Sequence, residues 1–273
     1  MTSMEKTLMT PPCELEQWQQ EKPHPVPSER FRFLLVGAGR GGTSLLAALL
    51  DTHSDLEVGF ERHAEDILMG KAMSAPDRDS LHRRVNAFVC ACNQDVAASE
   101  AKFWGNKITT EQIFGLEDHN LDHPNSRINV LDAFFNQYFR QRRVVFILRD
   151  GRACVLSKVK RAGRTYDLAC ERWRYSVTCY RFFREQHANS LCIRFEDLLY
   201  EPALTLRSVC AFLGVAYEPE MLAGVASTKL RPEYRHAKFD TLKATSPDFP
   251  DEYLNAIRDD LLYCGYPIAK PAG

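Results

Sequence analysis

Short apolar runs of strand length recur along the chain at 31–37 (FRFLLVG), 56–60 (LEVGF), 102–105 (KFWG), 143–148 (RVVFIL) and 190–195 (SLCIRF). Between them lie segments with helical spacing of apolar residues, 42–52, 78–99, 127–140, 151–162 and 165–187. Strands that alternate with helices need crossover connections, which build a parallel sheet with helices on both faces. The expected fold is α/β: three layers, α/β/α, around a mainly parallel central sheet, with a P-loop-like first joint. Residues 202–214 read as a helix that begins on Pro202 and stops at Gly214. The polar, basic stretch 228–249, broken by Pro232 and Pro247, reads as a surface loop, and a last helix at about 250–264 closes the chain. Pro11, Pro12, Pro23, Pro25 and Pro27 make 1–29 an extended, weakly ordered lead-in. That leaves 30–273 as one domain.

Composition narrows the partners. The 273 residues are 45% hydrophobic and 26% charged, with a net charge of −1. A packed core is expected, and a general nucleic-acid binder, which needs a basic surface, is not. Any anion site must be local. The nine cysteines follow no disulfide spacing, and the first thirty residues hold no apolar signal core. No apolar run reaches membrane-spanning length. A cytoplasmic setting without membrane attachment is therefore expected. Cys90 and Cys92 read as core cysteines on a helix rather than metal ligands, since no neighbouring pair completes a site.

Two strand–turn–helix joints carry candidate chemistry. The first nearly fits GxxxxGK[ST]: Gly37, four residues, Gly42, then Thr43 and Ser44, with the lysine missing. Gly41 and Gly42 allow a tight turn, and the following helix aims free N–H groups at an anion. Thr43 and Ser44 add hydroxyls, and Arg40 adds a guanidinium suited to a phosphate. Without the lysine there is no reach for a γ-phosphate, so a shorter anion is expected. A plain joint whose glycines serve packing alone is the other reading of this turn.

The second joint is RRVVFILRDGRACVLSKVKR, 142–161. Arg149 ends the strand, and Ser157 and Arg161, four apart, share one helix face. Together they would clamp a second phosphate. Arg152, Lys158, Lys160 and Arg164 read as a solvated basic face, and Trp173 as a packing aromatic. A ligand with one phosphate at each end of a nucleoside accounts for a short cradle and a separate clamp on one sheet.

These residues resemble the sulfotransferase superfamily, whose donor is 3′-phosphoadenosine 5′-phosphosulfate (PAPS). Arg40-Gly41-Gly42-Thr43-Ser44-Leu45-Leu46 is similar to the family's RSGTTLL loop, and RDGRACVLSKVKR to its RDPRAVxxSxxxR motif. Gly41 stands for a common serine and Gly151 for a common proline. Trp104-Gly105-Asn106-Lys107 resembles the WGdK element, and IRFEDLLYEPALTLRSVCAFLG a further family segment. The resemblance spans roughly 31–215. It implies that Arg40 to Leu45 hold the 5′-phosphosulfate, that Arg149, Ser157 and Arg161 hold the 3′-phosphate, and that PAPS is the co-substrate with no metal. It also implies in-line sulfuryl transfer, Lys107 stabilising charge on the leaving oxygen, and Glu61 as general base, with His63 as the competing base. The basic loop carrying Arg231, Arg235, Lys238 and Lys243 is expected near the nucleotide's 3′ end. The acceptor is expected to be a small molecule or carbohydrate, bound by loops at 62–100, 115–130 and 225–250. The competing readings are an ATP-dependent P-loop kinase with a degenerate loop and a nucleotide-binding relative without catalysis.

Overall fold

The computed structural model describes residues 24–74, 80–236 and 238–268, so most of the proline-rich lead-in lies outside the described residues. Five strands form one sheet: β1 (Phe31–Gly37), β2 (Leu56–Phe60), β3 (Phe103–Thr109), β4 (Arg143–Leu148) and β5 (Ser190–Arg194). Their order is β2-β3-β1-β4-β5, and every pairing is parallel. Gly37 pairs with Thr109 on one side and Ile147 on the other, so the carboxyl ends of β1, β3 and β4 emerge together.

The helices are α1 (Thr43–Leu50), α2 (Leu81–Ala98), α3 (Thr110–Phe114), α4 (Asp118–Asp122), α5 (Gly151–Ala162), α6 (Tyr166–Glu185), α7 (Phe195–Tyr200), α8 (Pro202–Leu213) and α9 (Asp251–Tyr263). One face of the sheet packs Phe33, Leu35 and Val145 against α1, α7 and α8. The other packs Phe31, Leu34 and Phe146 against α2, α5, α6 and α9. The two strands at the centre, β1 and β4, thus send their helices to opposite faces. In an open parallel sheet that switch leaves a crevice beyond the strand ends, where ligands bind.

The structure departs from the sequence reading in several elements. β3 does not stop at Gly105 but continues through Asn106, Lys107, Ile108 and Thr109. The buried Asn106 is satisfied by Arg62, donating to its carbonyl at 3.0 Å and accepting from its N–H at 3.2 Å. The expected helix 127–140 is a π-helical segment, Asp132–Tyr138. Its wide turn, closed by Phe139 N–H on Phe134 O at 3.1 Å, lets Phe134, Phe135 and Phe139 bury together. α3, α4 and a π turn at Ala64–Leu68 stand where no helix was expected. Of the two cysteines on α2, Cys92 is buried but Cys90 is exposed. Among the described residues no helix is long and apolar enough to cross a membrane.

Candidate active site

The loop after β1 takes a backbone path that the sequence pattern only outlines. Gly42 has φ 96, and a Cβ there would lie 2.1 Å from the Phe195 ring, so glycine alone fits. It gives α1 no side-chain cap, which leaves the helix's first N–H groups to a ligand. Arg40 is also left-handed, with φ 71. Its Nε donates to Ser157 Oγ at 3.0 Å, and its carbonyl accepts from Arg149 Nη1 at 3.0 Å. One residue thereby ties the β1–α1 joint to the β4–α5 joint.

Arg149 leaves the end of β4 with its guanidinium 4.4 Å from the Phe195 ring centre. Its backbone carbonyl accepts from the Trp173 indole at 3.3 Å, and Trp173 is fully buried. α5 begins on Asp150, whose carboxylate accepts from Arg152 N–H at 2.9 Å. Arg152 is not a solvated residue. It is buried and pairs bidentately with Asp150, at 3.0 and 2.7 Å. Lys158 is buried as well, 2.5 Å from Glu111 on α3. Both reverse the expectation of an exposed basic face, because α5 packs into the core along the side that carries them.

Arg40, Gly42, Thr43, Ser44 and Leu45 line one cavity of about 410 Å³ together with Arg149, Ser157 and Arg161. Gly41 sits within the same turn, its N–H on Ala38 O at 2.8 Å. Apolar walls come from Phe195, Leu199, Val225, Leu230 and Phe239. A strap at 238–247 adds Lys238 and Lys243. It is tied to the clamp segment: Arg149 Nη2 donates to Lys243 O at 3.1 Å, Arg152 Nη2 to Ser246 Oγ at 2.8 Å, and Ser246 Oγ to Asp150 Oδ2 at 2.6 Å.

Glu61 and Lys107 stand on the β3 side of the loop, outside the lining of this cavity. Lys107 is buried at the β3 end and donates to Glu61 Oε1. Gln112 Nε2 donates to Glu61 Oε2 at 2.6 Å. His63 turns elsewhere, with Nε2 2.9 Å from Asp95 on α2. Among the described residues the only non-glycine positive φ angles are at Arg40, Glu61 and His63, each a residue singled out from sequence. Backbone strain of this kind concentrates at functional sites.

Sequence reasoning missed Glu111 and Gln112. Glu111 Oε2 accepts Gly39 N–H of the loop at 2.8 Å. Burial acts to raise its carboxyl, but the Lys158 ammonium and the Gly39 amide outweigh it and hold it below the ordinary carboxylate range. A signal was present: Thr109-Thr110-Glu111-Gln112 fits a capping box, and Gln112 Oε1 does accept Thr109 N–H at 2.8 Å. Among the described residues no group of three or more His, Cys, Asp or Glu is arranged to hold a metal ion.

A family model described as "Sulfotransferase family" matches residues 33–219. The fold is similar to three solved structures. The sulfotransferase domain of the Synechococcus PCC 7002 olefin synthase is 19% identical with a TM-score of 0.62, over 92% of this chain and 99% of that one. The sulfotransferase domain of the curacin biosynthetic pathway is 16% identical with a TM-score of 0.58, over 89% and 99%. Sulfotransferase STF9 from Mycobacterium avium is 12% identical with a TM-score of 0.53, over 94% and 83%. At these identities the likeness is one of fold. No curated protein matches the sequence.

Proposed function

This chain belongs to the sulfotransferase family, and from that membership we propose that it transfers a sulfuryl group from PAPS to a hydroxyl or amine of a small-molecule or carbohydrate acceptor. The observation that carries the reading is that Arg40, Gly42, Thr43, Ser44 and Leu45 line the same cavity as Arg149, Ser157 and Arg161. A nucleoside with two anionic ends matches it. The uncapped α1 N-terminus, Thr43 and Ser44 suit the 5′ end. Arg149, Ser157 and Arg161 suit the 3′-phosphate, with Lys238 and Lys243 of the strap close by, and Phe195 and Phe239 offer apolar walls to the base. No γ-phosphate needs to be held, which fits a loop without its lysine.

In this reading the acceptor oxygen or nitrogen attacks sulfur and its proton passes to Glu61. The bond from sulfur to the 5′-phosphate oxygen breaks, and 3′,5′-ADP departs. Lys107, which donates to Glu61 in this structure, would stabilise the negative charge that grows on the departing oxygen. Glu61 is favoured over His63 because two donors orient it beside Lys107, whereas His63 is directed to Asp95.

Calorimetric titration with 3′,5′-ADP tests the clamp. Arg149→Ala and Arg161→Ala should each weaken binding by about 10- to 100-fold, from about 1.5–3 kcal/mol for a hydrogen bond to a charged group. Unchanged affinity in both refutes the assignment. Thermal stabilisation by ATP with Mg²⁺, and none by metal-free 3′,5′-ADP, would favour a kinase instead. Transfer of labelled sulfate from PAPS onto a metabolite extract tests the activity and finds the acceptor.

A further inference from the structure

We propose that Glu111 is a positioning residue for the donor site, with Lys158 as its buried counterion; this rests on reading the cavity as a nucleotide site. Glu111 does not line the cavity, and its neighbour Gln112 is the residue that donates to Glu61. The Glu111 carboxylate is shared between the loop and α5, with a longer contact from Thr110 Oγ1 to Oε2 at 3.4 Å. Oε2 accepts Gly39 N–H at 2.8 Å, and Oε1 lies 2.5 Å from Lys158 Nζ. Gly39 directly precedes Arg40, whose left-handed backbone, φ 71, is unfavourable for a residue with a side chain. Such a conformation persists only where its surroundings over-determine it.

Glu111 holds the amide before Arg40, Arg149 holds the carbonyl of Arg40, and Ser157 holds its guanidinium. The Cys154 thiol adds a longer contact to the same carbonyl, at 3.8 Å. Arg149 and Ser157 line the cavity and are residues that the phosphates would engage. Glu111 is the charged partner that stays outside the cavity and keeps the loop in place whether or not ligand is bound. Lys158 follows Ser157 on α5, so the ion pair also fixes that helix against the loop. The spacing between the 5′ cradle and the 3′ clamp is thus set by Glu111 through Gly39 and through Lys158.

Two neutral double variants separate positioning from bulk stability. In E111L/K158M the pair becomes apolar, no charge is left buried alone, and Gly39 N–H loses its acceptor. In E111Q/K158M the charges are equally absent, but the amide oxygen can still accept Gly39 N–H. The expected result is that both melt within a few degrees of each other. E111L/K158M should bind 3′,5′-ADP about tenfold more weakly than wild type, as for loss of one anchoring hydrogen bond. E111Q/K158M should return to within about threefold of wild type. Equal affinity across wild type and both variants, or equal loss in both variants, overturns the proposal. Should E111L/K158M fail to fold, Gly39→Ala takes its place. A Cβ there would lie 3.0–3.1 Å from the Glu111 carboxylate and push it off the amide, and unchanged affinity in that variant overturns the proposal too. A wild-type protein that does not bind 3′,5′-ADP at all overturns the nucleotide reading of the cavity instead, which is a separate outcome.

Discussion

At position 151 the chain carries glycine where the related motif commonly has proline, and the reason is Trp173. A Cβ on Gly151 would lie 2.6 Å from the indole ring. The same indole donates to the carbonyl of Arg149, so the packing that excludes a side chain at 151 also sets the strand end from which Arg149 departs. Gly151→Ala should cost about 1–3 kcal/mol through overpacking, read as a lower urea midpoint with an unchanged slope. Arg84 sets a similar constraint on the far side of the site. It is fully buried and donates to the carbonyls of Leu68 at 2.9 Å and Gly115 at 2.7 Å. Those contacts join the π turn after Glu61 to the segment after α3. Arg84→Met leaves both carbonyls without this donor and should cost about 2–4 kcal/mol in the same measurement.

At the scale of elements, the joint from β1 to α1 was legible because glycine spacing and hydroxyl residues are local signals. Its left-handed Gly42, pressed on Phe195, was not, because Phe195 comes from a distant strand end. Gly42→Ala should destabilise the fold by about 1–3 kcal/mol and displace the start of α1. Chemical denaturation reads the first effect, and loss of 3′,5′-ADP binding reads the second. β3 was legible only as far as Gly105. Its continuation is polar, and a buried Asn106 and Lys107 look unlike a strand until Arg62 and Glu61 are seen to satisfy them. Local pattern and tertiary structure part company where the site is built. Helix α5 shows the same limit. Its basic residues sorted into cavity-lining Lys160 and Arg161 and core-facing Arg152 and Lys158 only once Asp150 and Glu111 were in place.

Across the whole molecule, the sheet order puts the β1 loop between two different neighbours. Glu61 and Lys107 stand at the β2 and β3 ends, and the clamp of Arg149, Ser157 and Arg161 follows β4. At the start of α2, His82 lies with Tyr138, His24 and His119. It is 3.0 Å from the Tyr138 hydroxyl, and its pKa is lowered to about 4, by burial first and then by the charges of His24 and His119. The unfolded chain takes up a proton near the ordinary value of 6.5, and the folded protein does so only lower down. Stability from this group is therefore full above pH 6.5 and is lost as pH falls toward 4. The urea midpoint should drop between pH 7.5 and 5, and His82→Gln should flatten that slope. The strap at 238–247 rests on Arg149, Asp150 and Arg152 through Lys243 and Ser246. In the proposed reading Arg149 then serves both a main-chain oxygen of the strap and the anion that enters beside it. Linkage of that kind is reciprocal: by the factor that docking of the strap alters nucleotide affinity, the nucleotide alters docking of the strap. Amide hydrogen exchange confined to 240–247 would then report occupancy of the cavity from a place where no bond is made or broken.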